Sequence, residues 1–145
     1  MIEMPENRKI VLLDTNFLLI PAQFKVDIFT ELQQLCDFNY ELAVLDATID
    51  ELNQLAEDKA ASAKDRRAAK LGLQLIKAKS VMVIKADRKV FKSTDKAILD
   101  FATAGMKSGN KPVVVATQDK ALRDNLAARG VAVIMLREKQ YLKFL

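Results

Sequence analysis

The chain has no histidine and a single cysteine. Without imidazole, His-based general acid–base catalysis, Ser-His-Asp triads and His-ligated zinc are excluded. One cysteine permits no internal disulfide and no thiolate-built zinc or iron–sulfur site. Cys36 falls in an apolar helical pattern with Phe29, Leu32 and Leu35, which predicts a place in the core. Glycine is scarce, with 4 in all. Neither G-x-G-x-x-G nor G-x-x-x-x-G-K-[ST] occurs, so a glycine loop cradling nucleotide phosphates is not expected. No apolar run approaches the roughly 20 residues of a membrane helix, and no signal-peptide pattern opens the chain. The expectation is a soluble cytoplasmic protein with no membrane partner. Carboxylates are left as the leading groups for chemistry at neutral pH. Carboxylates alone are hard oxygen donors, and their preferred cations are Mg²⁺ or Mn²⁺.

At 145 residues, half of them hydrophobic, the chain is sized for one domain spanning 1–145 with a single core. Five short apolar runs stand out: Lys9–Leu13, Leu42–Leu45, Val81–Ile84, Pro112–Ala116 and Val131–Leu136. Their unbroken apolar character suits strands buried on both faces, as in a parallel sheet. Between them, helical periodicity covers Asp27–Cys36, Ile49–Leu55, Ala60–Ala78, Asp95–Met106 and Lys120–Arg129. This alternation predicts an α/β three-layer sandwich with right-handed crossovers. Gly109 and Gly130 read as helix stops. The apolar residues Ala68, Leu71, Leu73, Leu75 and Ile76 serve either core packing or a homodimer face.

Charge is segregated. Residues 59–92 carry 11 basic and 2 acidic side chains, which leaves the rest of the chain net negative. The basic set includes Lys64, Arg66, Arg67, Lys70, Lys89 and Lys92. It is either a solvated helix face with a lysine-rich loop, or a surface that tracks phosphates. Apart from Phe91, aromatic residues do not interleave with it, so a base-stacking platform is not indicated.

In an open α/β sheet, ligands bind beyond the carboxyl ends of the strands. Asp14 directly follows the first strand. Asp46, Asp50 and Glu51 follow the second, Asp95 opens the helix after the third, and Asp119 follows the fourth. Like charges gathered at one edge raise one another's pKa unless a cation neutralises them. Capping offers an alternative for most of them. Thr48-Ile49-Asp50-Glu51 matches a capping box, and Asp95 and Asp119 are good first-turn or N-cap residues. Asp14 is explained less well by capping, because a carboxylate on a buried central strand is costly to desolvate without a partner. A phospho-acceptor switch domain would place paired acids after the first strand, where Asp14-Thr15-Asn16 stands. A haloacid-dehalogenase-like phosphatase would want a second aspartate at Asn16.

The segments VLLDTNFLLI (11–20), IDEL (49–52), STDKAILDFA (93–102) and VATQDKALR (115–123) resemble, in order, the four acidic motifs of the PIN-domain nucleases. DTNFLL followed by a proline, with VIMLR (133–137) near the end, is similar to one branch of that family. This branch contains the eukaryotic small-subunit processome endonuclease and its archaeal relatives. The resemblance covers nearly the whole chain. It implies a parallel sheet of about five strands in the order 3-2-1-4-5, flanked by helices. It also implies an acidic pocket for Mg²⁺ or Mn²⁺ and hydrolysis of RNA, with an rRNA precursor as the substrate. By motif, Asp14, Glu51, Asp95 and Asp119 are the catalytic acids, with Asp14, Asp95 and Asp119 on the metal. Asn16 and Thr117 match supporting polar positions, and Asp100 is expected at the surface. Two other roles share the pattern: the toxin ribonuclease of a toxin–antitoxin pair, whose partner would be an antitoxin, and an RNA-binding assembly factor that does not cleave.

Overall fold

A computed structural model describes residues 8–86, 93–108 and 112–145. Six strands form one sheet: β1 (Lys9–Leu13), β2 (Tyr40–Leu45), β3 (Met82–Ile84), β4 (Val113–Ala116), β5 (Ala132–Arg137) and β6 (Tyr141–Phe144). Their order is β3-β2-β1-β4-β5-β6. The first five run parallel, and β6 returns antiparallel against β5. The expected order is therefore present, with one strand added at the edge. The helices are α1 (Ile20–Phe24), α2 (Ile28–Leu35), α3 (Asp46–Glu57), α4 (Ala63–Ala78), α5 (Thr94–Ser108) and α6 (Lys120–Ala128). None is long and apolar enough to cross a membrane among the described residues.

β1 is central and shows why its sequence reads as an unbroken apolar run. Val11 and Leu13 point into one core layer with Phe17, Ile28, Leu32, Leu52 and Ile76. Ile10 and Leu12 point into the other with Ile98, Ala102, Leu122 and Leu126. Side chains alternate along a strand, so a strand sandwiched between two helical layers is apolar at every position. Cys36 is buried in the first layer, as is Ile76 of α4; Ala68 is buried too, while Leu71, Leu73 and Leu75 are half-buried.

Helix ends fix where the strands enter. α6 stops in a Schellman arrangement: the Val131 N–H donates to the Leu126 carbonyl and Gly130 N–H to Ala127, with Gly130 at φ 79°. α4 ends identically, with Val81 donating to Ile76, but Ser80 occupies the left-handed position. Gly109 lies outside the described residues.

Gly72 sets the spacing between α4 and the 3₁₀ turn Asn16–Leu19 that follows β1. A Cβ at Gly72 would sit 3.0 Å from the Leu18 carbonyl oxygen. Alanine gains about 1 kcal/mol of helix propensity and loses a similar amount pressing on that carbonyl. Gly72→Ala is therefore expected to be close to neutral. Gly72→Val has no such room and should cost about 2 kcal/mol in denaturant unfolding. A Gly72→Val variant as stable as the native chain would show that α4 does not rest on this turn.

Candidate active site

Asp14 is the first residue past β1, and it is buried at 4% exposure. Its Oδ1 accepts from the Thr15 N–H at 2.8 Å, and its Oδ2 accepts from the Thr117 hydroxyl at 2.6 Å. Loss of water raises its pKa to about 6, the two hydrogen bonds opposing the shift and the charges of Asp95 and Glu51 adding to it.

Thr117 directly follows β4 and is fully buried. Its hydroxyl donates to Asp14 and accepts from the Asp119 N–H at 3.1 Å, so one oxygen ties the first acid to the loop carrying the fourth. Asn16 fixes the same loop from the other side, where its Oδ1 accepts from Gln118 N at 3.1 Å. The Gln118 side chain in turn accepts from Leu136 N at 2.7 Å and links the loop to β5.

The Asp119 side chain caps α6, accepting from Leu122 N at 3.0 Å. Asp95 stands in the first turn of α5, where Ser93 does the capping by accepting from Lys96 N at 3.3 Å. The Asp95 pKa is raised, first by partial loss of water and then by the charges of Asp119 and Glu51. Of the two alternatives, Asp119 is thus the N-cap itself and Asp95 a first-turn acid beside a serine cap.

The capping box at Thr48–Glu51 does not form. β2 runs straight into α3, which begins at Asp46, so Thr48 already lies inside the helix. Thr48 is fully buried and its hydroxyl has no partner among the described residues. Glu51, one turn further on, accepts instead from the Thr15 hydroxyl at 2.7 Å. Thr15 was not among the expected site residues, although it stands between Asp14 and Asn16. Asp46 turns away to hold the exit of β3, accepting from Ala47 and Ala86 N–H groups at 2.9 and 3.1 Å. Asp100 is exposed, as expected.

The four acids form one electrostatic network: Asp14 feels Asp95 and Glu51, and Asp95 feels Asp119 and Glu51. Among the described residues, no three carboxylates are drawn into a ready-made metal group. The donors are nonetheless all hard oxygens, and loss of water together with the charges of neighbouring acids raises the pKa of two of them. Such a set fits a small divalent cation held partly through its own waters.

The basic residues separate into different roles. Lys64, Arg67 and Lys70 are exposed on α4, and Lys77 continues the row. Arg66 is half-buried, and its guanidinium donates to the Asp58 carbonyl at 3.3 Å and to the Ala61 carbonyl, closing the α3–α4 turn. Lys89 and Lys92 lie outside the described residues.

Comparison with known proteins agrees with this architecture. Residues 11–139 match the family model described as a PIN-like domain. Ribonuclease VapC4 of Methanocaldococcus jannaschii is 29% identical over 128 residues, which cover 88% of this chain and 90% of that protein. A solved structure of the PIN domain endonuclease Utp24 superimposes with a TM-score of 0.69 at 20% identity, covering 93% of this chain and 90% of the other.

Proposed function

This chain belongs to the PIN-like domain family, and from that premise we propose that it is a divalent-cation-dependent endoribonuclease whose acids are Asp14, Glu51, Asp95 and Asp119. The observation that carries the reading is the burial of Asp14 at the end of the central strand, its charge set against those of Asp95 and Glu51. Nothing basic among the described residues pairs with Asp14. A cation would meet that need.

Asp14, Asp95 and Asp119 are the residues that would hold Mg²⁺ or Mn²⁺. When bound, such an ion supplies positive charge to the phosphate oxygens and makes water easier to deprotonate. The protein supplies the positioning. Thr15 N–H and Thr117 fix both Asp14 oxygens, and Asn16 and Gln118 hold the Asp119 loop rigid from two sides. The Thr15 hydroxyl occupies Glu51 Oε1, leaving Oε2 to orient the attacking water and accept its proton. Incubating the protein with single-stranded RNA in Mn²⁺, Mg²⁺ or EDTA tests this reading. Cleavage in the first two alone supports it, and intact RNA throughout refutes it.

The row on α4 is the proposed path of the RNA backbone toward this pocket. α3 carries only acidic charges, so the strand would run along the α4 side of the helical hairpin. Reversing Arg67 and Lys70 together to Glu should weaken RNA binding at least tenfold and flatten its salt dependence. Unchanged binding would leave the row as solvated surface. Arg66 makes a poor probe, because its loss would also open the α3–α4 turn.

The DTNFLLIP segment favours a precursor rRNA as the substrate in ribosome biogenesis. The similarity to Ribonuclease VapC4 is what favours the second reading, a toxin ribonuclease restrained by an antitoxin. A small antitoxin gene beside this one would decide for the latter.

A further inference from the structure

One cation near the acidic pocket has no structural employment. Arg123 lies on α6 one turn after the Asp119 cap, its N–H donating to the Asp119 carbonyl at 2.9 Å. Its Nε is buried with no hydrogen-bond partner among the described residues. Its Nη1 rests 2.9 Å from the sulfur of Met135, a weak acceptor. No carboxylate or carbonyl among the described residues receives it. A buried, unsatisfied N–H of a charged group costs free energy, and helix packing alone would be served better by an uncharged side chain of similar length.

Its surroundings adjoin the loop that carries Asp119. Met135 precedes Leu136, whose N–H is held by Gln118, the residue next to Asp119. We infer that Arg123 binds a phosphodiester of the RNA strand adjacent to the one that is cut. The ligand class follows from the group: a guanidinium presents a fork of N–H donors that matches two oxygens of a phosphate. The position follows from the helix, because one turn, about 5.4 Å, separates Arg123 from Asp119. That offset suits a neighbouring phosphate better than the one facing the acids. Leaving Met135 for two phosphate oxygens would satisfy the unpaired Nε–H and give Nη1 a strong acceptor in place of a weak one. This assignment rests on the ribonuclease reading above.

Arg123→Met keeps the length and apolar stem of the side chain and removes only the guanidinium. Binding of a labelled single-stranded RNA in EDTA, measured across a salt series, is expected to weaken about tenfold. The slope of log K against log salt should become shallower by about 0.7, the value for one phosphate contact on a single strand. The melting temperature should stay level or rise, because an unsatisfied group has been removed. Arg123→Lys should recover the salt slope but only part of the affinity, since a point charge replaces a fork. Unchanged affinity and slope in Arg123→Met, whatever its stability, overturn the assignment while leaving the nuclease reading intact. A native chain that neither binds nor cleaves RNA overturns both.

Discussion

Asp14→Asn is expected to abolish RNA cleavage and, in the absence of divalent cations, to make the protein more stable above pH 6. Both effects come from the same carboxylate. In the folded chain Asp14 has its pKa raised from 3.8 to about 6. The native state therefore holds a proton that the unfolded state has released over that interval. The contribution of Asp14 to the unfolding free energy falls as pH rises from about 4 to about 6 and levels off above it. A shift of this size corresponds to about 3 kcal/mol at neutral pH, carried as the cost of an ionised group away from water. Asparagine is never charged and escapes that cost. It forfeits the charge-assisted hydrogen bond from Thr117, but that bond already lowers the Asp14 pKa and is contained in this figure. The balance is a gain of about 3 kcal/mol at pH 8 and little difference at pH 4. Chemical denaturation at the two pH values measures it. Wild-type cleavage rates in Asp14→Asn would remove Asp14 from the mechanism, and lower stability at pH 8 would show that its charge is compensated by groups other than a cation.

The parts of this molecule legible in its sequence are those with a one-dimensional signature. β1, β2, β4 and β5 are apolar at consecutive positions because helices cover both faces, and Asp14 stands out against such a run. Elements without that signature escaped. The 3₁₀ turn and α1 occupy the apolar stretch Phe17–Ile20 and its following proline, too short to show a helical period. β6 follows a turn in which Glu138 and Lys139 adopt φ of 53° and 57°, where Asn or Gly would have announced a hairpin. The acids divide the same way. Their order along the chain showed which could meet at the sheet edge. Whether Glu51 caps its own helix or reaches across to Thr15 depends on α3 starting at Asp46 without a loop, which no spacing rule reveals. Arg66 illustrates the converse: its place in a basic run suggests RNA, and only the path of the α3–α4 turn shows the carbonyls it serves.

Divalent cations should then do to the native chain what asparagine does to the variant. At pH 7.5 the ionised Asp14, opposed by Asp95 and Glu51, makes a metal-free folded state of reduced stability. Binding Mn²⁺ or Mg²⁺ to the folded state alone stabilises it by RT ln(1 + [M]/Kd), about 2.7 kcal/mol at a hundredfold excess over Kd. For a chain of this size, that raises the melting temperature by roughly 5–10 °C. The effect should shrink as pH falls through about 6, because protons and cation compete for the same carboxylate oxygens. Asp14→Asn should lose most of the shift at every pH, and EDTA should return the native chain to its metal-free melting temperature while stopping cleavage. The pH dependence separates this from unspecific binding of cations to surface acids, which titrate near 4 and would give a shift that is constant from pH 5 upward. Cleavage that persists in EDTA, or a melting temperature indifferent to both ions at pH 7.5, would mean that Asp14, Asp95 and Asp119 do not share a cation.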